Sequence, residues 1–157
     1  MLDVEGLSRW QANFPNLKEL WIISPAFRDD KQPHLRASIA DNLKRGVRFL
    51  YFLGKADLEE GKPFWLFLRR LAAELRKSSA QVEKQIQAIP LDETERRWIT
   101  SDLFLANPTD PVTRAGFVGL RYDQANRFAF RMSDWDVEVT VGSISPLVVK
   151  KLGKERL

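Results

Sequence analysis

Few side chains in this chain could do chemistry: there is one histidine, His34, and no cysteine. A centre with two or three histidine ligands cannot form within one chain, and disulfides, thiolate zinc sites and cysteine nucleophiles are all excluded. A Ser–His–Asp triad would have to use His34, and no GxSxG elbow is present. Neither GxxxxGKS/T nor GxGxxG follows the first strand-like segment, which argues against P-loop and Rossmann nucleotide binding. What remains is the charged run Arg28, Asp29 and Asp30. It could hold Mg²⁺ and an anionic ligand, since hard cations favour carboxylate oxygens. The simpler reading, a solvated loop whose carboxylates favour the positive end of a following helix, carries more weight. No catalytic residue, metal site or cofactor is assigned.

The elements that would position these residues centre on Leu17–Leu53, which reads as strand, loop, helix, strand. Leu20 to Ser24 is a nearly continuous apolar run, as expected for a strand covered on both faces, and Pro25 ends it. Pro33 suits a first helical position. Leu35, Ile39 and Leu43 then form one helical stripe, Lys44 and Arg45 suit the negative helix end, and Gly46 is a left-handed stop. Val47 to Leu53 is the second strand, parallel to the first through a right-handed crossover. Pro63 opens a second helix with Phe64, Phe67, Leu68, Leu71 and Leu75 inward. Ser78 and Gln81 make a capping box for a further helix with Val82, Ile86 and Ile89 inward, closed by Pro90.

Trp98 to Ala106 reads as a third strand, followed by a loop with Pro108 and Pro111. Gly116–Tyr122 and Arg127–Met132 form a hairpin about residues 123–126. Trp135, Val137, Val139 and Val141 alternate with polar residues and predict a strand, against a competing Ser133–Asp136 helix cap. Ser145 and Pro146 begin a short last helix stopped by Gly153. The expectation is an α/β fold: a mixed sheet with an N-terminal βαβ unit, helices packed on it and a C-terminal antiparallel hairpin. Residues 1–16 read as a segment or linker with Leu2, Leu7 and Trp10 on one face of a short helix, 17–149 as one domain, and 150–157 as a basic tail.

With 157 residues, 44% hydrophobic and 29% charged, the chain suits one globular domain. No run reaches the roughly 18 apolar residues needed to span a bilayer. MLDVEGLSRW lacks a basic segment followed by an apolar one, so no signal peptide is expected. With no cysteine, a cytoplasmic location is the default. The net charge of +4 is no footprint for nucleic acid, because the last eight residues carry +3 of it. In α/β sheets ligands sit beyond the carboxyl ends of the strands. That places Ser24, Arg28, Asp29, Asp30 and Lys55, with Asp102 or Asn107, around one edge.

The run ELWIISPAFRDDKQPHLRASIADNLKRGVRFLYFL resembles the opening of phospholipase D-like domains, in which a strand leads through a loop and helix to a second strand. The resemblance spans roughly residues 17 to 132 and is specific over its first forty, as in a single half-domain. It implies phosphodiester-handling ancestry. The family's hallmark is HxK followed four residues later by Asp, where histidine attacks phosphorus, lysine neutralises the oxyanion and aspartate supports the site. His34, Arg36 and Asp41 have that spacing with arginine for lysine, but they fall in a helix rather than on a late strand. At about 100° per residue, His34 and Arg36 point roughly 200° apart and cannot converge on one phosphate. At the family's position, WITSDLFLANP, there is neither histidine nor lysine.

The resulting expectation is a non-catalytic phospholipase D-like sensory or interaction module, regulatory within a larger protein or complex, with a protein partner or fused domain. An anionic small ligand would meet Ser24, Arg28, Asp29, Asp30 and Lys55, and a homodimer is one assembly considered. The alternatives are a nucleic-acid-binding module using Arg127, Arg131, Lys150 and Lys151, with Arg121 nearby, or a divergent phosphodiesterase using His34. Trp10, Trp21, Trp65, Trp98 and Trp135 could stack bases, though most sit in apolar patterns that suit a core. Arg69, Arg70, Arg76, Lys77 and Lys84, interleaved with Glu74 and Glu83, read as a wet helix face.

Overall fold

The computed structural model describes residues 2–3, 16–27, 30, 33–121 and 127–157. The expected helix in residues 1–16 and the hairpin turn at 123–126 lie outside the described residues, apart from a two-residue strand and Asn16. In chain order the elements are β1 (Leu2–Asp3), β2 (Glu19–Ile23), α1 (Pro33–Lys44), β3 (Arg48–Gly54), α2 (Pro63–Leu75), α3 (Ser79–Gln85) and β4 (Ile86–Leu91). They continue with α4 (Glu93–Arg97), β5 (Asp102–Ala106), β6 (Ala115–Arg121), β7 (Arg127–Arg131) and α5 (Asp134–Leu152). Short 3₁₀ turns cover Lys55–Leu58 and Lys154–Arg156.

The strands form one sheet in the order β1-β7-β6-β5-β2-β3-β4. β2, β3 and β4 are parallel, and the pairs from β2–β5 outward to β7–β1 are antiparallel. The chain is therefore α/β with a mixed sheet, a βαβ unit first and an antiparallel hairpin late. No helix among the described residues is long and apolar enough to cross a membrane.

All five residues of β2 are buried, which is why its sequence shows no polar alternation. Leu20 and Ile22 face a cluster built with α1 and α2, while Trp21 and Ile23 face a second cluster built with α5. The sheet is thus a middle layer, with α1, α2 and α3 packed on one side and α5 on the other. Among the described residues the buried indole Nε1 of Trp21 has no hydrogen-bond partner, a cost of about 1–3 kcal/mol that the ring's burial must offset.

The α1 stripe forms as its spacing predicts: Leu35, Ile39 and Leu43 are all buried, and Gly46 stops the helix at φ +85°. Gln85 donates from Nε2 to the Leu43 carbonyl at 3.0 Å, alongside the Gly46 N–H that the same acceptor takes at 3.0 Å, so the C-terminal end of α1 is tied to α3. Pro63 opens α2, whose Phe64, Phe67, Leu68, Leu71 and Ala72 are buried. Ser78 and Gln81 form the expected capping box of α3.

Three segments differ from expectation. The helix after Ser78 stops at Gln85, and Ile86–Leu91 is strand β4, running parallel to β3 from Phe49↔Ile86 to Gly54↔Leu91. Ile86 and Ile89 are three apart and look like one helix face, yet they enter the two clusters on opposite sides of the sheet. Pro90 is tolerated because β4 ends the sheet. The strand expected over Trp98–Ala106 begins only at Asp102, and Trp98 is 83% exposed.

The strand expected at Trp135–Val141 is the first half of α5, which continues through Pro146 to Leu152. The Ser133 hydroxyl caps it by accepting from the Asp136 N–H at 3.1 Å. Val137 and Val148, eleven residues apart, share its sheet-facing side, with Val141 and Ile144 between them. The helix approaches β6 closely, for a Cβ on Gly116 would fall 2.9 Å from Met132 Sδ and from Val137 Cγ2.

Ile39 is fully buried between α1 and the sheet. Ile39→Ala should lower unfolding stability by about 2–5 kcal/mol, read as a drop in the urea midpoint at unchanged m-value. A loss below about 0.5 kcal/mol would show that α1 is not anchored there.

Candidate functional site

The parallel strands β2, β3 and β4 end at Ser24, Gly54 and Leu91, and the loops beyond them form the carboxyl edge where α/β folds bind ligands. β2 is also the point at which the sheet changes from parallel to antiparallel pairing. There β5 begins with Asp102, brought opposite Ser24 by the antiparallel register. The Ser24 hydroxyl lies 2.6 Å from Asp102 Oδ1 and 2.6 Å from the Ala26 carbonyl, so its one proton serves two acceptors. Both residues are buried. Gly119 on β6 backs the carboxylate, because a Cβ there would fall 3.2 Å from Asp102 Cβ.

The loop after Ser24 is held by Phe27. Its ring meets Tyr51, Phe64 and Phe67 edge-on at centroid distances of 5.8, 5.3 and 5.4 Å, the geometry aromatic quadrupoles favour. Its N–H donates to Asp57 Oδ2 at 3.4 Å, tying the β2 loop to the turn after β3. Of the residues expected to bind a ligand, Arg28 and Asp29 lie outside the described residues. Asp30 is half-buried, and its Oδ1 has no hydrogen-bond partner among the described residues.

Lys55 is exposed at the start of the turn after β3, and its charge reaches towards β4. The Asp92 carboxyl there is held below its ordinary value chiefly by the Glu95 N–H, with Lys55 contributing a smaller attraction. Asp92 caps α4 in a reciprocal box: its Oδ1 accepts from Glu95 N at 2.7 Å, and Glu95 Oε1 accepts from Asp92 N at 3.0 Å. The Arg96 stem crosses Gly54, where a Cβ would fall 2.8 Å from Arg96 Cδ. Among the described residues, Asp102 and Asp30 stand at the β2–β5 side, and Lys55 and Arg96 stand at the β3–β4 side together with the Asp92 and Glu95 carboxylates. Asp92 and Arg96 were not among the expected site residues, although the Asp92-to-Glu95 spacing is the sequence signature of a capping box.

Asp102 and Asn107 do not share an edge. Asn107 follows β5 and lies at the amino end of β2, where its Oδ1 accepts from Lys18 N at 2.8 Å and Glu19 N at 3.3 Å. At about 3.4 Å per residue, the five steps of extended chain from Asp102 to Asn107 put the two about 17 Å apart. His34 and Arg36 both fall in α1, and Arg36 Nε is 2.9 Å from Glu74 Oε1 on α2, so the arginine is committed to a helix–helix ion pair. Asp41 is exposed on the same helix. Among the described residues, no group of three or more side chains is placed to hold a metal ion.

The basic residues of the alternative reading are dispersed. Arg131 is exposed at the end of β7, and Arg127 occupies a β7 position paired with Arg121. Lys150 and Lys151 belong to the last turn of α5, not to a tail, where their charge suits the helix end. Sixteen helical residues, about 24 Å, separate the α5 start next to Arg131 from Lys150. Of the described tryptophans, Trp21 is buried and Trp65 half-buried, with its Nε1 donating to the Leu58 carbonyl at 2.9 Å. Trp98 and Trp135 are exposed. A groove of about 320 Å³ lies between residues 58–61, α2 and α3, lined by Trp65, Arg69, Glu60 and Glu83 among others, and Ser24, Lys55 and Asp102 do not line it. No family model matches the chain, and no curated protein matches its sequence.

Because the folded Asp92 carboxyl titrates below its ordinary value of 3.8, its capping contribution is complete above that pH and lost as pH falls through the folded value. Asp92→Asn should therefore melt earlier than the native chain at pH 7, with the gap closing below about pH 4. Thermal melts from pH 7 to pH 2.5 check this, and a gap that widens on acidification would be inconsistent with the cap.

Proposed function

We propose that the chain is a non-catalytic phospholipase D-like module that acts in regulation by binding, in a reducing cytoplasmic setting, rather than by turning over a phosphodiester. One observation carries the reading. The segment in which such domains place HxK supplies Asp102 to the carboxyl edge, buried and hydrogen-bonded to Ser24. Hydrolysis through a histidyl intermediate needs a nucleophile and a cation beside the phosphorus. A carboxylate at that point repels a phosphodiester, and the serine hydroxyl is held as a donor between that carboxylate and the Ala26 carbonyl. Among the described residues, Lys55 and Arg96 beyond β3 and β4 offer cations to an anionic group, beside the Asp92–Glu95 cap, and phosphate binding is proposed there.

The expected result is that the purified chain hydrolyses bis(4-nitrophenyl) phosphate no faster than buffer. Turnover that His34→Ala or Ser24→Ala removes would show the module to be an enzyme.

Nucleic-acid binding is a second reading, favoured by the exposed Trp98 and Trp135. It predicts affinity for mixed-sequence DNA or RNA that falls steeply with salt and drops when residues 150–157 are removed. Absent or salt-independent binding eliminates it.

A further inference from the structure

α5 is apolar on two opposite sides. At about 100° per residue, Val137, Val141, Ile144 and Val148 point at the sheet. Trp135, Val139, Gly142, Pro146 and Val149 fall on the far side, spaced four, three, four and three apart, the interval of a coiled-coil seam. Trp135 is 59% exposed and Val139 48% exposed. Gly142 and Pro146 are also exposed, and a Cβ built on Gly142 meets nothing within 4 Å. Pro146 carries no N–H, so the Gly142 carbonyl on this same face loses its helical donor. Ile99 packs in the cluster that contains Val148 and Leu152, which brings Trp98, 83% exposed, to the α5 side of the molecule.

Charge along this face selects the occupant. Asp134, Asp136 and Glu138 crowd the first turns, and Lys150 and Lys151 the last. Asp136, at about 100° from Trp135, and Lys150, at about 60°, stand on the same flank of the seam, and both are exposed. Gly142 lies near the midpoint of the helix. A two-fold axis at Gly142 makes the face complementary to itself: Trp135 meets Val149, Val139 meets Pro146, and Asp136 meets Lys150 on the same flank of the seam. A parallel pairing would stack acid on acid and base on base. The bare glycine lets the two helices cross closely, and tryptophan, here one at each end of the contact, is a frequent anchor of interfaces.

We propose that the outer face of α5 is a homodimer interface, in which a second copy of this chain packs antiparallel across Gly142. The proposal stands on α5 alone and does not depend on the phospholipase D-like reading. Sedimentation of the full chain should give a species of twice 18.2 kDa, and Val139→Glu should return it to monomer with unchanged circular dichroism. Asp136→Lys and Lys150→Glu should each weaken association about tenfold, and the double variant should restore it, since each contact occurs twice about the axis. The chain has no cysteine, so Gly142→Cys reports the axis directly: on oxidation it should cross-link to its own copy. Trp135→Cys should not, because the two positions lie about 21 Å apart in the antiparallel pair. A chain that stays monomeric to on the order of 100 μM overturns the proposal. So does a dimer indifferent to Val139→Glu, which would assign this face to another partner, or one that cross-links through Trp135→Cys in preference to Gly142→Cys.

Discussion

The antiparallel pairing of β2 with β5 holds the two halves of the sheet together. On one side of it stand the parallel strands β2, β3 and β4, and on the other the antiparallel strands from β5 to β1. Side chains pin the pairing at both ends. Ser24 donates to Asp102 at one end, and at the other Asn107 accepts from Lys18 and Glu19 and donates to the Asn16 carbonyl at 2.6 Å. Asn107 adopts φ +47°, and its Nδ2 also reaches Thr113 Oγ1 at 3.1 Å, whose hydroxyl donates to Asp110. That bond leads the effects holding the Asp110 carboxyl below its ordinary value. A one-residue slip would turn Trp21 and Ile23 into the wrong cluster and break both pins, so register and core specify each other.

This constraint decides what the carboxyl edge can do. In a doubly wound sheet the switch point opens a crevice for a ligand. Here the strand beside β2 runs the other way, and its first residue fills that position with a carboxylate already bonded to the β2 terminus. Among the described residues, the cations of this edge stand at the β3 and β4 ends, where Gly54 admits the Arg96 stem and Lys55 is exposed beside the Asp92–Glu95 cap. Scaffold and site draw on the same residues, which is why the most buried polar pair at the edge serves cohesion first.

How much of this was legible in the sequence depends on whether local signals agreed. In α1, the opening proline, a stripe at i, i+4 and i+8, a C-terminal lysine and a left-handed glycine all point one way, and the βαβ unit forms as they predict. For β4, Ile86 and Ile89 imitate a helix face, and Pro90 imitates a stop. Only the sheet order, with β4 at the end and covered on two sides, makes a strand of them. The direction of β2 alone places Ser24 at the carboxyl ends of the parallel strands, but placing Asn107 needed the direction of β5, which depends on non-local pairing. Arg96 escaped notice because nothing in its own neighbourhood marks the glycine, forty-two residues earlier, that it crosses.

α5 shows why pattern alone misleads and what must hold the helix instead. Asp134–Leu152 contains seven β-branched residues, one glycine and an internal proline. Against alanine, such a sequence disfavours a helix by roughly 7 kcal/mol in intrinsic terms. The alternation of Trp135, Val137, Val139 and Val141 accordingly reads as a strand. The Ser133 cap offsets only about 1 kcal/mol of that deficit. Burial must supply the rest, at about 1.5–3 kcal/mol for each apolar side chain fully withdrawn from water. The sheet-facing residues Val137 and Val148 are completely covered, while Val141, Ile144, Leu147 and Leu152 are covered in part. Residues chosen for helix propensity would have left the outer face polar. The valines, tryptophan and glycine there weaken the isolated helix and gain nothing from the sheet, so a composition this unfavourable to a solvated helix has its rationale in a second covered side.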